Sequence, residues 1–102
     1  MNPRVLSEAF DDLQEAIEWY DLHAGAVSDR LEHEFFSAVS KIAALPLTYP
    51  PIYREFRRVL LKPFPYLLYY RPDGDEVVVT LLFHASRNPR IARQLLNQRR
   101  YF

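Results

Sequence analysis

The chain has no cysteine, which excludes disulfides and thiolate metal sites and suits a reducing compartment. Only two glycines occur, so no Gly-rich phosphate-binding loop can be drawn. No apolar run approaches the roughly 18 residues of a membrane span. The opening MNPRVLSEAFDD places acids where a signal peptide has its apolar core. A soluble, cytoplasmic protein without membrane contact is therefore expected. His23, His33 and His84 are scattered with no metal-ligand spacing, and neither a metal nor a cofactor is expected. Net charge is also absent, but the balance conceals a split. Residues 1–50 hold three Lys/Arg against nine Asp/Glu, and residues 51–102 hold ten against four. Such a split gives a basic region fit for an anionic partner, or two halves that attract each other within the fold.

What is present centres on Phe64 to Arg87, FPYLLYYRPDGDEVVVTLLFHASR. Two runs rich in β-branched and aromatic residues, Tyr66–Tyr70 and Val77–Phe83, flank Pro72-Asp73-Gly74-Asp75. Asp-Gly between such runs is a strong hairpin signal, because glycine supplies the positive φ of a tight turn. Val77 to Phe83 is apolar on both parities, as in a central strand covered on both faces. Its end delivers His84 and Arg87 to the sheet edge.

A single domain over residues 1–102 is expected at this length. Arg4-Val5-Leu6 is β-compatible, and Ser7 is a candidate N-cap. Phe10, Leu13, Ile17 and Tyr20, with Ala16, form one apolar stripe and predict a helix over about 8–22. After His23-Ala24-Gly25 a second stripe, Val27, Leu31, Phe35, Ala38, Ile42 and Leu45, predicts a helix over about 26–45. Phe36, Val39 and Ala43 widen it, and Ser28 and Asp29 are both candidate caps. The short link makes an antiparallel helical hairpin, ended by Pro46, Pro50 and Pro51. Tyr53–Leu61 alternates and predicts a strand nearer an edge. Asn88-Pro89 starts a short final helix with Asn as cap and Pro at its first position. Its apolar side is Ile91, Ala92, Leu95 and Leu96; its other side is Arg90, Arg93, Arg99 and Arg100, ending in Tyr101-Phe102. The predicted fold is α+β: a helical hairpin on a small, mainly antiparallel sheet, in the order β-α-α-β-β-β-α.

Each candidate site residue has two readings. His84 is a hydrogen-bonded structural residue or, with Arg87 and Arg58, part of a cationic corner for a phosphate or a partner's carboxylates. Tyr66, Tyr69 and Tyr70 pack in the sheet or stack on bases. The acidic face of the first helix reads as solvated. The arginines of the last helix, beside Tyr101 and Phe102, are a solvated end or a docking surface.

The helical hairpin, the Pro-rich link, FPYLLYYR, the short turn and VVVTLLFHASRNP together resemble the RelE/ParE superfamily of bacterial type II toxins, over essentially the whole chain. The resemblance implies a cognate antitoxin that wraps an extended or helical segment over the toxin and neutralises it. It also implies a role in plasmid stabilization or growth inhibition. RelE-like members are ribosome-dependent mRNA endoribonucleases; ParE-like members block DNA gyrase. Against the RelE pattern, Arg58 and Leu60 stand at the paired lysine positions, and Leu67 at the Arg after the strand Tyr. Arg87 matches the strand-end arginine, and Arg93 replaces the catalytic Tyr. Cleavage by 2′-OH attack needs acid–base groups and charge stabilisation that Leu60 and Leu67 do not supply. The ParE-like reading is preferred: a binding toxin that engages gyrase, with Arg87, Arg90, Arg93, Arg99, Arg100, Tyr101 and Phe102 as candidate residues for binding its target or another partner. The alternatives are a ribonuclease using Arg87, His84 and Arg58, with His84 and Tyr101 imitating another ribonuclease branch, and a non-toxic member that only binds antitoxin.

Overall fold

The structure, a computed structural model, describes residues 1–100. Its elements are β1 (Asn2–Val5), α1 (Ser7–His23), α2 (Val27–Ala44), β2 (Arg57–Leu60), β3 (Tyr66–Asp73), β4 (Glu76–His84) and α3 (Pro89–Arg99). This is the expected α+β order. The sheet runs β1-β4-β3-β2, antiparallel except that β1 lies parallel to β4. A parallel neighbour needs a long crossover, and here α1, α2 and the next two strands all intervene.

The helical hairpin covers one face of the sheet. Leu13, Leu31, Phe35 and Ile42 meet Leu68, Tyr70, Val79 and Leu82 in one buried cluster. On the opposite face α3 lays Ala92 and Leu96 over Phe56, Tyr69, Leu81 and Phe83. Val77 to Phe83 is buried throughout, as expected of a central strand covered on both sides. The pairing slips between Tyr69 and Tyr70, which face Leu81 and Val79, so Thr80 is an extra residue on β4.

Several local expectations shift. The helical caps are Leu6 and Ala26, not Ser7, Ser28 or Asp29. Ser7 instead donates to Glu8, and Ser28 donates to Asp21, tying α2 to α1. The buried stripe of α1 is Ala9, Leu13 and Ala16, while Phe10 is half exposed and leans on Phe35 and Phe36. Leu45 and Phe36 are likewise outward. The hairpin loop is Gly74-Asp75, with Gly74 at φ +61°, so glycine takes the first central position of the two-residue turn. The expected strand over Tyr53–Leu61 begins only at Arg57. Before it, the Phe56 N–H donates back to the Tyr53 carbonyl, and Arg54 takes a left-handed φ of 52°. A turn there swings Tyr53 under α3. Asn88 does cap α3, its side chain accepting from the Arg90 N–H at 3.0 Å.

Tyr70 links the Pro-rich segment to the core, its hydroxyl donating to the Pro46 carbonyl at 2.8 Å. Burial pushes this phenol above its ordinary value of 10.0, although Arg57 opposes the shift. A group whose folded pKa is raised keeps its full stabilisation below the unfolded pKa and loses it as pH rises. Stability is therefore expected to fall above about pH 10. Denaturant curves over that alkaline range should show a shallower fall for Tyr70→Phe than for the parent. An unchanged slope would remove Tyr70 as the cause.

Candidate functional site

On the face of the sheet that carries α3, the part that α3 leaves uncovered forms the candidate site. Side chains two apart on a strand share a face, so Arg58 and Leu60 of β2 join Leu67 and Tyr69 of β3 and Phe83 of β4. The register aligns Leu60 with Leu67 and Leu67 with Phe83, making an apolar row across three strands. These residues, with Ala85, Arg87 and Pro89, line a groove of about 370 Å³. Arg87 sits over the Phe83 ring at 4.6 Å, and the Arg58 Nη1 donates to the Tyr69 hydroxyl at 3.2 Å. The result is an apolar floor flanked by two cations.

A smaller hollow of about 170 Å³ continues under α3, lined by Tyr53, Arg58, Tyr69 and Arg93 among others. The Arg93 guanidinium lies 5.9 Å from the Tyr53 ring centre. The hydrogen bond from Arg54, then that with Asn97, pulls the Tyr53 phenol below its ordinary value of 10.0. Nothing in the sequence pattern singles out Tyr53, because only the turn at Arg54 turns it toward the groove.

His84 lies elsewhere. It lines a cleft of about 490 Å³ between the C-terminal half of α1 and the end of the sheet, together with Trp19, Tyr20, Tyr66 and Arg87. Its ring meets Tyr66 edge-on at 5.1 Å. Burial, then the neighbouring Tyr20, pushes the Tyr66 phenol above its ordinary value; Arg87 opposes and Glu15 adds to the rise. Arg58 and Arg87 therefore share one groove, Arg87 and His84 share another, and Arg87 stands at both. Trp19 gives no signal in the sequence because it lies off the apolar stripe of α1.

The arginines of α3 divide. Arg90 and Arg93 are exposed, and Arg93 lines the hollow under α3. Arg99 turns inward: its Nη1 donates to Asp12 at 2.7 Å and to the Thr80 carbonyl at 3.1 Å, and its Nη2 reaches Asp12 at 3.3 Å. Asp12 also accepts the Leu82 N–H at 3.1 Å. β1 pairs with β4 only as far as Val79, and beyond it the Asp12–Arg99 pair serves the strand's open edge. Arg100 pairs with Glu55 at 3.0 Å. Tyr101 and Phe102 lie outside the described residues. Among the described residues, Asp12–Arg99 is the one ion pair that joins an acid of the first half to a base of the second. Arg58, Arg87, Arg90 and Arg93 make no ion pair within the same set, so the basic region is left facing outward. No cluster of three potential metal ligands and no helix long and apolar enough to cross a membrane occurs there either.

A helical hairpin packed on a small β-sheet is the arrangement that the resemblance to the RelE/ParE toxins implies, and the chain has it. Residues 4–89 match the family described as the ParE toxin of the type II toxin-antitoxin system, parDE. The protein belongs to that family. It is 33% identical over 87 residues to Toxin ParE2 of Mycobacterium tuberculosis (strain CDC 1551 / Oshkosh), covering 84% of this chain and 83% of the relative. The same figures hold for Toxin ParE2 of strain ATCC 25618 / H37Rv. The fold also matches a solved structure of the chromosomal ParDE TA system from P. aeruginosa. Its TM-score is 0.76 at 16% identity, over 84% of this chain and 97% of that one. At such identity the likeness speaks for the fold alone.

Proposed function

We propose that this ParE-type toxin acts in the cytoplasm by binding DNA gyrase and stalling replication, and that a cognate antitoxin neutralises it. The observation that carries this reading is the groove: the Leu60–Leu67–Phe83 row between Arg58 and Arg87 offers an apolar floor and two cations. Among the described residues no His, Asp or Glu lines it, so no carboxylate or imidazole is at hand there to move a proton. An apolar centre with charged rims is built for a protein surface that carries acids around an apolar anchor. The antitoxin part of the reading draws on the family's toxin-antitoxin description and on the structural relative, itself a ParDE system. Phe10 and Phe36, half exposed and in ring contact on the helical hairpin, supply an apolar patch for it to cover.

Purified toxin should inhibit gyrase supercoiling and leave ribosome-bound mRNA uncut. Arg87→Ala should weaken inhibition about tenfold, the loss of one charged contact. In cells, separate pulse labels should show replication stalling before translation. Early translation arrest with mRNA cuts that Arg87→Ala abolishes would establish the ribonuclease instead. Harmless expression with tight antitoxin binding would identify a member that has lost its toxicity.

A further inference from the structure

We infer that the aromatic cleft beside α1 is a docking site for a segment of a protein partner that inserts an aromatic side chain and presents a neighbouring carboxylate to Arg87 and His84. This goes beyond the gyrase reading and does not depend on what the basic groove binds. At about 490 Å³ the cleft has the size of a recognition pocket. Its walls are rings: Trp19 stands edge-on to Tyr20 at 5.1 Å, and Tyr20 lies 6.5 Å from Tyr66. Trp19 is pre-oriented by stacking on His23 at 4.3 Å, and half of it is still exposed. An inserted aromatic side chain completes such a cluster in edge-on or offset geometry.

The polar end of the cleft selects an anion. His84 Nδ1 accepts the Ser86 N–H at 3.1 Å, with the Ser86 hydroxyl 2.8 Å away. The proton of the neutral imidazole therefore sits on Nε2, which has no hydrogen-bond partner among the described residues. His84 and Arg87 both line this cleft, and Arg87 has no carboxylate partner among the described residues. A carboxylate satisfies both.

Charge and shape then choose a peptide. The half of α1 that flanks the cleft carries Glu15, Glu18 and Asp21 with no Lys or Arg. A nucleic acid would run its flanking phosphates along that face, whereas a peptide can place basic residues there. The half-open rim at Trp19 suits a continuing chain better than an enclosed small molecule. Because Arg87 also flanks the basic groove, an occupant of the cleft withdraws that guanidinium from it.

Trp19 is the chain's one tryptophan, so its emission reports occupancy. The full chain would be titrated with acetyl-Lys-Ala-Phe-Asp-Ala-amide and with the same peptide carrying Asn for Asp. A saturable emission change is expected, with the Asp peptide binding about tenfold more tightly. Arg87 is exposed, so Arg87→Ala should keep its far-UV spectrum while erasing the Asp/Asn difference. Lys41→Ala, a cation in neither groove, should preserve it. The Trp19 indole N–H resonance gives a second readout on the same samples. Equal binding of the two peptides, no saturable response in either readout, or tighter binding of uridine monophosphate would each overturn the inference.

Discussion

Replacing Arg99 with alanine is expected to lower the unfolding free energy by about 3 kcal/mol and the melting temperature by about 15 °C. The Asp12 and Arg99 side chains are only 17% and 13% exposed. Truncating one partner leaves the other charge poorly solvated, which outweighs the modest net worth of the intact pair. The loss is not confined to the pair. Asp12 holds the Leu82 N–H, and Arg99 holds the Thr80 carbonyl, at the edge of β4 that β1 fails to reach. Asp12→Asn keeps an acceptor for Leu82 and should cost less than Asp12→Ala. A double-mutant cycle by denaturant unfolding measures the coupling. If Arg99→Ala melts within a degree or two of the parent, the pair is a surface contact of the weak kind.

Phe35→Ala should be the more damaging change, at about 4 kcal/mol, whereas Phe36→Ala should cost less than about 1 kcal/mol. The two residues are neighbours on α2 with rings 5.2 Å apart, yet Phe35 is fully buried and Phe36 is 43% exposed. Removing Phe35 opens a cavity between the helical hairpin and the sheet, where Leu31 and Ile42 are held by their own packing. Removing Phe36 trims a surface patch. Its effect should appear in antitoxin affinity instead, if the helical hairpin is where the antitoxin lies. Comparable melting temperatures for the two variants would mean that the core closes over the missing ring.

Both effects depend on features the sequence expresses unequally. Local periodicity suffices for the hairpin of β3 and β4, the helical hairpin, the Asn88 cap and the edge position of β2, because each is written within a few residues. The family resemblance rests on those same stretches. The groove is half legible: Arg58, Leu60, Leu67 and Arg87 stand out as a set, and the strand register brings them together. His84 groups with Arg58 on the sequence, but the two line different clefts. What fails to show is long-range pairing. Asp12 reads as a solvated acid and Arg99 as a surface cation because their partnership spans 87 residues. Trp19 reads as polar-face filler until the end of β4 arrives beside it. Phe10 looks like core, since a hydrophobicity pattern cannot tell a stripe that rides on alanines from its neighbour.

The parallel seating of β1 on β4 also bears on synthesis. Asn2–Val5 is synthesised well before its strand partner, Glu76–Val79. The Arg99 clamp on that same strand is later still. The nascent chain can form its helical hairpin early, but the sheet that carries the basic groove cannot close until β4 has been made. A toxin assembled in this order has no basic groove until β4, Arg87 and Pro89 have joined the strands made before them.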